Sequence, residues 1–188
     1  MYIEIKVKGN DVPEQEFTPI HFPIDLKDLE TTVEECYVNL GTQYQPIRID
    51  NFVTLGEHKF PTISPNTELS VKLVTERGEE DDTFSTAKLV CCKVKNVGKV
   101  FNNGYIEILE NQWNQIFDLD SKRLITTPDG FLYVIPDEEG SCTISTLEKP
   151  GDAFIAYSIL FSFSLKKRTY YFVLDPVVRV SSGHNVPL

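Results

Sequence analysis

The side chains of this chain that could do chemistry are three histidines, four cysteines and several clustered carboxylates. A cysteine nucleophile needs a base within hydrogen-bond reach, and only His21, His58 and His184 could serve. No local motif joins them to Cys36, Cys91, Cys92 or Cys142. There is no C-x-x-C pair, so the usual ligand spacing of a zinc site is missing. Vicinal Cys91 and Cys92 on a strand point to opposite faces, which keeps them from sharing one metal. Gly98-Lys99 matches the end of a phosphate-binding loop, but Lys93 stands where that loop requires its first glycine. Neither G-x-S-x-G nor H-E-x-x-H occurs. Glu79, Glu80, Asp81 and Asp82 form a linear acidic run without the spacing of a Ca²⁺ loop, and Asp137-Glu138-Glu139-Gly140 has the composition of a solvated turn. Asp118 and Asp120 flank Leu119 and would share one face of an extended strand, the pairing a carboxylate-based hydrolase uses. Nothing else in the sequence supports that reaction. The expectation is no catalytic residue, no cofactor and no metal.

Aromatic residues carry a different signal. Twelve Phe, eight Tyr and one Trp are concentrated in the second half, where Phe161, Phe163, Tyr170, Tyr171 and Phe172 crowd two neighbouring segments. Aromatics favour strands, so a β core accounts for most of them. Tyr157, Tyr170 and Tyr171 are the candidates for a partner surface, because tyrosine can bury its ring while its hydroxyl stays wet.

The elements that must position these groups read as follows. Ile3, Ile5 and Val7 alternate with Glu4, Lys6 and Lys8, the period of a strand with one wet face. A weaker strand over 17–24 is interrupted by Pro19 and Pro23. Asp25 would cap a helix over 26–40, with Leu26, Leu29, Val33, Cys36, Tyr37 and Leu40 on one stripe and Gly41 as its stop. Strands follow over 46–54 and 68–75. The acidic segment 76–83 has no apolar residue and reads as a linker. Beyond it the chain predicts strands over 87–94, 97–100, 105–109, 124–127, 131–135, 141–146, 155–165, 169–174 and 177–180. Asn102-Asn103-Gly104 and Pro128-Asp129-Gly130 supply hairpin turns. Residues 110–120 fit a short helix around Trp113 or a strand and turn equally well. The organisation expected is a unit over 1–76, a linker over 77–83, an all-β domain over 84–181 and a flexible tail over 182–188.

The order strand, strand, helix, strand, loop, strand in residues 1–76 resembles the ubiquitin-like β-grasp family, with Ile3, Ile5 and Val7 on the first strand and Leu69, Val71 and Leu73 on the last. That resemblance implies an N-terminal hairpin, one crossing helix and a final central strand paired with the first. The Gly-Gly end of conjugated family members is missing: Glu76-Arg77-Gly78-Glu79 stands in its place, and the chain continues. The fold class expected is therefore α+β: a β-grasp-like unit with one helix, then a mostly antiparallel β domain built as a sandwich or open barrel.

Charge narrows the function. With 188 residues, 18 basic and 28 acidic side chains, the formal charge is −10. Such a field opposes direct nucleic-acid and anionic-membrane binding and favours a basic protein partner. Glu79, Glu80, Asp81 and Asp82 join the tyrosines as candidate partner-binding residues. Charges within residues 1–20 argue against a secretory signal, no apolar run reaches bilayer length, and the cysteine usage suits a reducing cytoplasm. The leading expectation is a non-catalytic interaction or adaptor protein. The alternatives are an acidic inhibitor, viral or from a mobile element, that mimics nucleic-acid charge, and a ligand or carbohydrate binder using the β domain. A homodimer through an edge strand such as 169–174 is also open.

Overall fold

Alternation of Ile3, Ile5 and Val7 with charged residues produces strand β1 (Tyr2–Gly9), whose apolar face is buried. The computed structural model describes residues 1–9, 20–24, 41–49, 64–75, 87–96, 113–120, 122–150, 153–165, 168–174 and 177–180. β1 pairs antiparallel with β2 (Ile20–Pro23) on one side. On the other it pairs antiparallel with a strand that we number β4 (Thr67–Val74), since β3 (Ile47–Arg48) precedes it. Ile5 faces Val71 and Val7 faces Leu69, so the apolar faces of the two strands coincide. The further strands are β5 (Lys88–Asn96), β6 (Leu124–Thr126), β7 (Phe131–Val134), β8 (Ser141–Ser145), β9 (Ala153–Leu165), β10 (Arg168–Leu174) and β11 (Val177–Val180).

Two sheets result. One has the order β2-β1-β4-β8; the other runs β3-β10-β9-β5-β7-β6, with β11 also on β9. Among the described residues, every strand pairing is antiparallel except β3 with β10. The sheets share one core, in which Ile3, Ile5 and Val71 of the first join Leu132, Ile159, Phe161 and Phe172 of the second. The architecture is two open sheets, not a closed barrel.

The composite sheets correct the expected β-grasp unit. The β1–β4 pairing and the β1–β2 hairpin are present, but β8 from the second segment completes their sheet, and β3 from the first segment pairs with β10 of the second. The strands of 1–76 do not form a self-contained sheet. The physical reason is that β4 has two edges and one buried face: β1 covers one edge, and β8 takes the other while adding Cys142 and Ile144 to the core. The helix expected over 26–40 lies outside the described residues, as do the acidic linker, the hairpin at Asn102-Asn103-Gly104 and the tail. Of the segment over 110–120, residues 113–120 are described: a short 3₁₀ turn at Trp113–Gln115, followed by a bridge from Phe117 to Thr146.

Several local sequence signals explain the connections. Pro128, Asp129 and Gly130 make a three-residue hairpin loop, with Gly130 at φ 89° and Thr127 N–H donating to Phe131 O at 2.9 Å. Arg168 pairs with Leu165 at the start of β10, and β11 pairs with β9 in the same antiparallel register. In β5 a register shift between Leu89 and Cys91 marks a bulge. After it, Cys92 and Val94 face the core, while Cys91 and Lys93 lie on the opposite face.

A buried hydroxyl cluster ties β4 to the end of β8. Thr67 N–H donates to Thr146 Oγ1 at 2.9 Å, and both hydroxyls reach Ser64 O, at 2.7 and 2.9 Å. Thr146→Val keeps the shape but leaves the buried Thr67 N–H without this acceptor, so it should lower stability by about 1–3 kcal/mol. Urea unfolding checks this.

Candidate functional site

Strand β8 places its backbone groups alternately. Thr146 N–H donates to Thr67 O, which sets Cys142 and Ile144 to bond toward β4 and turns the backbones of Ser141, Thr143 and Ser145 to the outer edge. Two of the three are engaged there. Asp137 N–H donates to Ser141 O at 2.9 Å, and Asp118 N–H donates to Ser145 O at 2.9 Å. Between them, no described strand pairs with Thr143.

A groove of about 170 Å³ runs along this edge. Leu124, Ile135 and Ile144 give it an apolar floor; Asp118, Asp137, Arg123 and the hydroxyl residues Ser141, Thr143 and Ser145 form its walls. Each carboxylate is oriented by local turns. Asp137 Oδ1 accepts from Glu139 N–H at 2.9 Å and Ser141 N–H at 2.8 Å, closing the turn that ends at Gly140, φ 76°. Asp118 Oδ1 accepts from Asp120 N–H at 3.1 Å. The Arg123 guanidinium is drawn along the wall by its bond to Pro136 O at 2.6 Å. Ser141 Oγ lies 2.7 Å from Ser70 Oγ, fixing one hydroxyl. The wall is rich in acceptors: two carboxylates, three hydroxyls and the outward carbonyl of Thr143. It suits an ammonium, a guanidinium or the N–H groups of an extended chain.

Asp118 and Asp120 would share a face only in an extended strand, and the structure gives them a different setting. The two belong to a turn closed by the carboxylate of the first, and only Asp118 lines the groove. The sequence reading of Asp137-Glu138-Glu139-Gly140 as a turn matches the structure, but it missed that this turn delivers Asp137 to the same groove as Asp118, at the other end of the β8 edge. The pairing depends on the crossing of the chain from β7 in one sheet to β8 in the other, which no local motif records.

The other candidates are dispersed. Tyr170 is half-buried on the core face of β10, with the Arg168 guanidinium 4.8 Å from its ring centre. Tyr171, also half-buried, lies on the opposite face, across from Ser162. Tyr157 pairs with Val94 through its backbone, its side chain being outside what is described. Glu79, Glu80, Asp81 and Asp82 lie outside the described residues.

The described thiols, Cys91, Cys92 and Cys142, are buried. Cys142 donates to Val134 O at 3.2 Å, and Cys92 and Cys142 share a hydrogen bond across the two sheets. Cys92 and Cys142 also line a cavity of about 20 Å³ with Leu69, Val71 and Ile155. Burial, then the nearby Cys142, pushes the Cys91 thiol from its ordinary 9.0 up to about 11, against the opposing effect of Lys93. The hydrogen bond to Cys142, then burial, raises Cys92 well above that ordinary value. These thiols titrate near 9.0 once unfolded, so the stability that they confer is full below pH 9 and declines as pH rises toward about 11. Cys91→Ser/Cys92→Ser should flatten the fall in urea midpoint between pH 9 and 10.5.

Among the described residues, no group of His, Cys, Asp and Glu could hold a metal ion, and no helix is long and apolar enough to cross a membrane. No protein-family model matches the chain, and comparison with curated proteins and with solved structures finds no match.

Proposed function

We propose that this protein is a non-catalytic protein–protein interaction or adaptor protein that holds a donor-rich segment of a basic partner in the groove beside β8. The observation that carries the reading is the outward-facing backbone of Thr143, set between the carboxylates of Asp118 and Asp137. A lysine or arginine side chain would meet one of the carboxylates while the partner backbone meets Thr143. The formal charge of −10 supports the same choice of partner by steering basic surfaces toward the protein. A cytoplasmic setting belongs to the same proposal, since Cys91, Cys92 and Cys142 are free thiols of the kind that a reducing compartment preserves.

Affinity capture from native lysate, run in parallel with the wild-type chain and Asp118→Lys/Asp137→Lys, tests the proposal. A basic partner retained by the wild type and lost from the variant supports it. Equal recovery of every partner by both chains contradicts it.

A further inference from the structure

The outer face of the larger sheet carries charge opposite to that of the molecule as a whole. The bulge in β5 leaves Lys93 and Lys95 on this face, and their cross-strand partners are Tyr133 and Phe131. The Lys93 ammonium sits 3.6 Å from the centre of the Phe131 ring and 5.7 Å from that of Tyr133; Lys95 lies 5.7 Å from the same Phe131 ring. Two cations thus converge on one aromatic ring, and among the described residues no carboxylate forms an ion pair with either. The ring quadrupole offsets part of their mutual repulsion and leaves both able to accept an anion. Next in the same row, Ile125 faces Tyr133 and is 51% exposed.

We propose that this face binds an extended protein segment pairing an acidic residue with an aliphatic one. The carboxylate lies against Lys93 and Lys95, and the aliphatic side chain covers Ile125. Ile125, Tyr133 and Lys93 sit on adjacent strands, so the two anchor points are roughly 10 Å apart. Side chains of an extended segment alternate faces, so the shortest same-face spacing that spans them is an acidic residue four positions from a leucine or isoleucine. A single-stranded nucleic acid fits less well: the Phe131 face is already capped by Lys93, so a base could stack there only by displacing the ammonium. This surface is separate from the groove beside β8, and its partner has the opposite charge.

The test is fluorescence anisotropy on the intact chain with a fluorescein-labelled peptide carrying Glu-Glu-Ser-Gly-Leu, and in parallel with a labelled fifteen-residue oligothymidine. Saturable peptide binding is expected, weakened by about tenfold in Lys93→Gln/Lys95→Gln, as loss of charge-assisted contacts dictates. A smaller loss is expected in Ile125→Ser. The groove variant Asp118→Lys/Asp137→Lys should bind this peptide as the wild type does, so failure here and failure of the proposed function are distinguishable. Unfolding midpoints confirm that each variant is folded. Absence of peptide binding, equal binding by the lysine variant, or preference for the oligothymidine overturns the proposal.

Discussion

Phe172→Ala should lower stability by about 3–5 kcal/mol, the range for removing a fully buried phenylalanine and leaving a cavity. Phe172 is 0% exposed and its ring lies between two others: Phe163 at 4.8 Å and 6°, and Phe161 at 5.5 Å and 20°. Removing the ring leaves both neighbours without a stacking partner. The position also pairs with Ile47, so the loss reaches the short parallel strand β3, whose strand partner among the described residues is β10. A domain of this size has a total stability of about 5–15 kcal/mol, so the variant should be near the limit of folding at room temperature. Urea unfolding should show a large fall in midpoint with little change in slope. Tyr171→Ala, one residue away on the opposite, half-buried face, should cost far less. Similar losses for the two would contradict the placement of the core on the Phe172 face.

The second large effect concerns the groove. Asp118→Lys/Asp137→Lys should weaken binding of a capped arginine peptide at least about tenfold, because two charge-assisted acceptors become two repelling cations. The wild-type affinity should fall with added salt; the residual affinity of the variant should not. Asp137 also closes a turn through bonds from Glu139 and Ser141, so a variant at this position could act through the backbone. Asp118→Asn and Asp137→Asn separate the two effects, since asparagine keeps an acceptor oxygen for the turn and removes the charge. Each should give an intermediate loss of binding with the unfolding midpoint nearly unchanged. Isothermal titration calorimetry reads both.

Much of the β framework was legible in the residues because alternation is a local signal. Ile3, Ile5 and Val7, then Leu69 and Val71, and the odd-numbered residues Ile155, Ile159, Phe161 and Phe163 all mark buried faces that the structure keeps. Pro128-Asp129-Gly130 was equally readable, since turn chemistry is also local. Which strands become neighbours was not. The assignment of β8 to the sheet of β1 and β4 depends on cross-strand packing of Cys142 and Ile144 over Val71 and Leu69, contacts across about seventy residues that leave no pattern in either segment alone. The acidic run at 76–83 is a break in composition, yet the strands on its two sides share both sheets.

The candidate site was legible only in pieces. Asp118 and Asp137 were noticed as members of carboxylate clusters, each with a partner nearby in sequence. Their association with one another arises from the corner between β7 and β8, and the open backbone of Thr143 follows from β8 being an edge strand. Lys93 and Lys95 passed unremarked as a site because the net charge of the chain directed attention to acidic surfaces. The alternation of lysine with Val94, opposite an alternation of aromatic residues with Leu132, was the available signal. Of the tyrosines singled out for their amphipathic character, Tyr170 and Tyr171 lie on opposite faces of β10, so those two do not share one surface.

Backbone amide chemical shifts of the intact chain, followed by NMR during titration with a capped arginine tripeptide, test the central claim most directly. Saturable shifts centred on Asp118, Asp137, Thr143 and Ser145 are the predicted result. Shifts scattered over acidic residues away from β8, or none as the peptide is added, would contradict it.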